Sequence, residues 1–241
     1  MPALKKIILL TFFVALASTA KSQILISLLF GEKLNSDKIE FGLIGGFNWS
    51  NLNDLGKARA QSNFNLGFYF HFRMQERTFL STGVLVKSNL GATGMDTYQI
   101  GDAAFDSVYA DGKLTKSISY IHIPILYHYR IKELVYLEAG VMAGIRTKAD
   151  DIFTKSAFDG KLEFVRGTRN EYSTLDFGLL GGLGFKLKRQ PKSMSLGLRY
   201  YYGLVDVSTL PDTSFKNTSV YLFAKIPIGI AKKKETKKNS P

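Results

Sequence analysis

The chain contains no cysteine, a single tryptophan, and only three histidines and six prolines among its 241 residues. Without cysteine there is no lipoprotein acylation site, no disulfide framework and no thiolate metal site. Beyond the N-terminus no segment approaches the roughly twenty consecutive apolar residues of a spanning helix. If the chain is in a membrane, it is there as strands. The histidines, His71, His122 and His128, all fall on alternating apolar segments. His122 and His128 share a face but lie about 20 Å apart along an extended strand, which excludes a shared metal site or a catalytic pair. His128 opposite Glu138 has the form of an oriented base, yet no serine or cysteine nucleophile is evident beside it. Asp150 and Asp151 lack calcium-loop spacing and read as solvated loop residues. The glycine-rich stretch 178–184 falls on a strand, with no helix N-terminus behind it to hold a phosphate. These absences predict that the chain is not an enzyme and carries no cofactor and no metal.

What is there begins with an export pattern. Lys5 and Lys6 precede an apolar run over 7–16, then small residues with candidate cleavage points after Ala20 and Ser22. This predicts a secretory signal over 1–22, since the run is too short to span. The formal charge of +12 suggests nucleic acid until it is located: three of those charges leave with the signal, and the tail over 231–241 holds a net four. About +5 remains, with no basic stripe among aromatics, so nucleic acid is not an expected partner. The tail reads as a basic, disordered, solvated extension.

Residues 118–145 write a hairpin around a turn at Lys132, Glu133 and Leu134. One face of the predicted ladder pairs Tyr129 with Leu137, Tyr127 with Ala139, Ile125 with Val141, Ile123 with Ala143 and Ile121 with Ile145. The other pairs Arg130 with Tyr136, His128 with Glu138, Leu126 with Gly140, His122 with Gly144 and Tyr120 with Arg146. Strand side chains alternate with period two, so one face is continuously apolar and the other mixes charge, glycine and rings. Eight segments carry this patterning: 39–49, 63–73, 79–89, 117–131, 135–146, 173–187, 193–205 and 218–230, the first and third more roughly. Links after the second, fourth and sixth are short, whereas 50–62, 90–116, 147–172 and 206–217 are long and polar. Short periplasmic turns, long outside loops and strands of ten residues or so describe an all-β, eight-stranded antiparallel up-and-down transmembrane β-barrel.

A soluble barrel or sandwich with the apolar face inside is the competing reading. Volume decides against it. An eight-stranded barrel has an interior just wide enough for side chains. It would have to hold Phe64, Phe68, Phe70, Phe72, Leu175, Phe177, Leu179, Leu183 and Phe185, while Gly67, Gly140, Gly144, Gly182, Gly184 and Gly197 faced water. Turned outward, the bulky residues meet lipid and the glycines make room for Arg, Tyr and Glu inside. Trp49 at the outer end and Tyr127 and Tyr129 at the inner end suit interfacial belts.

Charges inside a narrow lumen must be paired. The expected network comprises Glu138, His128, Lys186, Arg146, Asp176, Arg199, Arg130, Glu40 and Lys225, with Arg146–Asp176, Glu138–Lys186 and Glu40–Lys225 as candidate pairs. It predicts a mostly plugged, structural lumen rather than a wide pore. Pro124, lacking a ladder donor, predicts a local bulge.

The segment 39–50, the stretch from Tyr120 to Tyr127 with Leu137 to Gly140, and the strand from Asp176 to Gly184 resemble the PorT-like family of outer-membrane β-barrel proteins of Gram-negative bacteria. The resemblance covers roughly 39–230. It implies an outer-membrane location, lipid contact and passage through the barrel assembly machinery. Unlike most such barrels, the chain does not end on an aromatic residue: Tyr221 and Phe223 are followed by an apolar stretch and the lysine tail. The expected organisation is a signal over 1–22, a periplasmic segment over 23–38 packed at the periplasmic mouth, the barrel over 39–230, and the tail. The expected role is structural, or binding of an extracellular or periplasmic protein partner through the long loops. A narrow channel or a secretion or assembly accessory factor is the alternative, and an outer-membrane lipid-modifying enzyme the third reading.

Overall fold

The alternating segments pair in sequence order and close on themselves. The computed structural model describes residues 35–228 apart from 37, 54, 56, 158–159, 191 and 212. The expected signal, most of segment 23–38 and the tail lie outside the described residues. The strands are β1 (Ile39–Leu52), β2 (Arg59–Arg73), β3 (Thr78–Met95), β4 (Lys113–Arg130), β5 (Val135–Ala157), β6 (Gly160–Gly167), β7 (Leu175–Lys186), β8 (Ser195–Gly203) and β9 (Asn217–Pro227). A short helix, α1 (Ala103–Tyr109), sits between β3 and β4, capped by the Asp102 carboxylate, which accepts from the amides of Ala104 and Phe105. Eight strands form the antiparallel ring β1-β2-β3-β4-β5-β7-β8-β9, closed by β9 on β1. β6 stands outside the ring and pairs only with the far half of β5. No helix among the described residues is long and apolar enough to cross a membrane.

The β4–β5 ladder pairs Tyr129 with Leu137, His128 with Glu138, His122 with Gly144 and Tyr120 with Arg146, the register that alternation dictates. Outward residues such as Leu175, Leu179, Leu183, Tyr200, Ile125 and Leu222 are exposed, while Tyr120, Tyr201, Phe223, Leu126 and Met142 fill the interior. The inside-out arrangement has a steric basis. Gly184 carries no side chain where the Tyr136 ring lies, and Gly197 none where the Phe223 ring lies. Trp49, Tyr127 and Tyr129 face outward, and Tyr201 points inward between outward Tyr200 and Tyr202.

One β-bulge explains why the third strand reads roughly, and another changes the parity of β5. In β3 the ladder shifts between Leu85 and Ser88, where Leu85 pairs with His122 but Ser88 with Tyr120. The inward set therefore changes from Ser81 and Leu85 to Ser88, Leu90 and Ala92. In β5 an extra residue at Thr147 sets Arg146 opposite Tyr120 and Lys148 opposite Ser119. Inward residues are even-numbered up to Arg146, then become Ala149, Asp151 and Phe153. One inserted residue flips a strand's parity. The bulge expected at Pro124 is absent, because Pro124 stays in register opposite Met142; its carbonyl accepts from the Thr82 hydroxyl at 3.0 Å.

The stretch read as a polar loop over 147–172 is largely strand, and that over 90–116 is strand at both ends with α1 between. β3 and β4 have 18 residues each and β5 has 23, against the 9–11 that cross a bilayer at a tilt. The surplus projects from the loop end as a β platform, roofed by Phe105 and Tyr109 of α1 against Phe153 and Phe164. The platform lies at the end of the long connections, opposite the short turns.

Candidate functional site

The most concentrated polar site lies inside the barrel near its short-turn end, around Glu138 of β5. Alternation turns Glu138 inward, and the ladder sets it opposite Gly182 of β7. Gly182 in turn pairs with Arg199 of β8. With no side chain at Gly182, Arg199 reaches past β7 and grips the carboxylate with both branches of its guanidinium: Nε donates to Oε1, and a terminal nitrogen donates to Oε2 at 3.1 Å. Lys225 of β9 brings Nζ to 3.5 Å from the same carboxylate. His128 of β4 lies 3.3 Å away, without hydrogen-bond alignment. His71 of β2 completes the cluster, 3.3 Å from the Lys225 ammonium, with its ring centroid 4.8 Å from that of His128. Glu138, Arg199 and Lys225 are 3%, 5% and 1% exposed, so their charges are withdrawn from water and depend on one another. Rings complete the enclosure: Arg199 lies 4.1 Å over Phe223, and Lys225 faces Tyr69, Tyr136 and Phe223.

Below the cluster a cavity of about 130 Å³ opens at the short-turn mouth. Lys38, Arg73, Arg130, Lys186 and Lys192 line it together with Glu40, and His71 and His128 form its ceiling. The Glu40 carboxylate accepts from the Tyr69 hydroxyl at 2.8 Å and lies 3.7 Å from His71. Arg130 stacks its guanidinium 4.8 Å over the Phe79 ring. Of the segment expected at this mouth, Asn35, Ser36 and Lys38 are described. Asn35 accepts from the Phe41 amide and donates to the Ile228 carbonyl, tying the start of β1 to the end of β9.

The three predicted ion pairs do not form. The β5–β7 register puts Glu138 four residues from Lys186, and Asp176 opposite Gly144 rather than Arg146. Arg146 lies past the ladder's end and donates to the backbone carbonyls of Ser173, at 3.0 Å, and Arg169. Asp176 accepts instead from Asn217 at 2.8 Å. Lys225 goes to Glu138, leaving Glu40 with Tyr69 and His71 and within electrostatic reach of Lys186. Arg199 and Lys225 cross the lumen to Glu138, a geometry that neighbour-strand pairing does not foresee. The parts of Tyr69, Tyr136 and His71 in the cluster were also missed, although each stands on an inward face.

A second buried carboxylate occupies the platform. Asp151 is fully buried, not solvated as its loop-like sequence suggested. It accepts from Lys116 Nζ at 2.9 and 3.2 Å, from Tyr98 at 2.9 Å and from Tyr172 at 3.3 Å. Burial and the adjacent Asp151 charge push the Tyr98 phenol up to about 12, and raise that of Tyr172. Among the described residues no group of three or more His, Asp or Glu side chains is placed to hold a metal ion.

A closed antiparallel ring, apolar outside and polar within, defines an eight-stranded transmembrane barrel. The model of the family described as outer membrane protein beta-barrel domain matches residues 30–209; the chain belongs to this family and resides in the outer membrane. Among solved structures it is similar to Ail, the attachment invasion locus protein of Yersinia pestis, at 16% identity and a TM-score of 0.42, covering 80% of this chain and 100% of that one. It is similar to OprG from Pseudomonas aeruginosa at 16% identity and a TM-score of 0.38, covering 79% and 94%. Neisserial surface protein A is similar at 12% identity and a TM-score of 0.40, covering 78% and 96%. No curated protein matches the chain.

Proposed function

We propose that this protein is a closed, non-conducting barrel that presents its outer β platform as a preordered binding surface for an extracellular partner. The observation that carries the reading is the continuation of β3, β4 and β5 far past the length a bilayer requires, into a packed unit with β6 and α1. Val108, Leu162 and Val165 remain exposed there above the aromatic roof. A surface ordered before contact loses less conformational entropy on binding than flexible loops do. The lumen below is filled by side chains and crossed by the Glu138 cluster, which speaks against the narrow channel. His71 and His128 face this lumen rather than the lipid and contact Glu40, Lys225 and Glu138, and the His122 ring, 2.9 Å from the Ser88 hydroxyl, is fully buried in the lumen with it, which speaks against lipid-modifying chemistry. The segments quoted above support PorT-like membership, with the signal over 1–22, the periplasmic segment over 23–38, the barrel over 39–230 and the tail over 231–241.

Two measurements test this reading. Planar-bilayer recording of the purified barrel is expected to give no discrete openings. A photo-crosslinker at Val165 on intact cells is expected to give a discrete protein adduct, and one at Lys192 none. Steady conductance with no adduct at Val165 would replace the binding reading with the channel.

A further inference from the structure

We infer that the periplasmic mouth of the barrel is a blind-ended binding site for a soluble, multiply charged oxyanion of the phosphate type. Lys38, Arg73 and Arg130, with Lys186 in electrostatic reach of Glu40 and Lys192 donating to Asn35 at 3.3 Å, converge on one cavity whose single lining carboxylate among the described residues, Glu40, accepts from Tyr69. Arg73 and Arg130 come from β2 and β4, strands separated by β3, and lie close enough for their charges to repel. Like charges gathered in a partly enclosed space are unfavourable alone and become favourable around an anion. Guanidinium forks match the paired oxygens of a phosphate or carboxylate. The number of cations favours a multiply charged group over a single carboxylate.

The shape narrows the ligand further. About 130 Å³ is room for about four water molecules at roughly 30 Å³ each, enough for one oxyanion head. The ceiling is the Glu138 cluster, in which two buried cations, Arg199 and Lys225, meet one carboxylate, so the field above the cavity is also positive. The same cluster closes the lumen, so the cavity binds without leading through. Its lining residues stand on the inward face of the wall, while Leu80 and Tyr129 beside them face outward. Bilayer phosphates lie beyond that wall, so a dissolved anion has the more direct access than a lipid headgroup.

The test is calorimetric titration of the full-length protein in phosphatidylcholine nanodiscs with inorganic pyrophosphate, and with chloride at matched ionic strength. Saturable pyrophosphate binding that chloride does not reproduce is expected. The double substitution Arg73→Gln, Arg130→Gln should weaken it by about tenfold or more, roughly what one lost charged hydrogen bond is worth. Lys57→Gln, at the opposite end, should leave it unchanged. A heat-dependent gel shift verifies that each variant is folded. If the double glutamine variant fails to fold, Lys192→Gln, on the connection between β7 and β8, takes its place and should weaken binding several-fold. Equal binding by wild type and variants, or no saturable binding, would overturn the site. Pyrophosphate binding that is lost once phosphatidylglycerol is added to the discs, at an ionic strength that screens the disc surface, would overturn the soluble ligand in favour of a lipid headgroup. None of these outcomes bears on capture at the outer platform, so the two readings fail separately.

Discussion

Glu138 and Asp151 are both buried carboxylates on the inward face of β5, yet their surroundings differ. Glu138 is held from across the lumen by β8 and β9, with more positive than negative charge around it. Asp151 is matched by one ammonium, that of Lys116 directly opposite on β4, and by two phenols. The first set of contacts fastens distant strands of the ring to one another; the second fastens a hairpin to its own roof. A lumen-crossing charge therefore governs the whole barrel, whereas a neighbour-strand charge governs only the platform.

Glu138→Gln should have the largest effect. It leaves Arg199 and Lys225 buried without their counter-charge, a loss of about 3–5 kcal/mol in urea unfolding of the folded barrel in detergent. A loss no greater than that from Asp151→Asn would break the comparison. Gly184→Leu should follow, at about 1–3 kcal/mol, because the new side chain meets the Tyr136 ring and pushes it toward His128. Asp151→Asn should cost about 1–3 kcal/mol, confined to the platform: amide exchange accelerates in 150–167 while the heat-dependent gel shift is unchanged. The smallest effect is expected on lowering the pH. Lys57 and Lys113 hold the exposed Asp96 carboxyl below its ordinary value of 3.8 by hydrogen bonding and charge. Its folded pKa being depressed, its contribution is complete above that value and is lost as the pH falls below it. Exchange at 96–113 should quicken slightly there, and not in an Asp96→Asn variant.

The β4–β5 register was legible in the sequence, whereas the β5–β7 and β1–β9 registers and the contacts across the lumen were not. Period two fixes which residues share a face, and the short turn after Ile131 fixes the β4–β5 register to the residue. The ring of eight and its inside-out sense follow from the same alternation. The platform was hidden by the parity change at Thr147: Asp150 and Asp151 follow a bulge, so a strand continuing through them looks like a loop. The charge cluster was legible as a set of inward residues but not as pairs. A cross-lumen contact depends on barrel tilt and curvature, and a slip of two residues between β5 and β7 suffices to separate Arg146 from Asp176.

The absence of cysteine offers a direct test of the central claim, because every introduced cysteine is unique. Single cysteines along β7 from 177 to 185, spin-labelled in lipid vesicles, report access to dissolved oxygen, which concentrates in the bilayer, and to a water-soluble nickel chelate. The inside-out barrel predicts oxygen maxima at Phe177, Leu179, Gly181, Leu183 and Phe185, with both probes low at Gly178, Leu180, Gly182 and Gly184. Nickel maxima at the positions of Phe177, Leu179 and Leu183 would mean that this face lies in water, and would contradict the membrane barrel and every lumen contact described above.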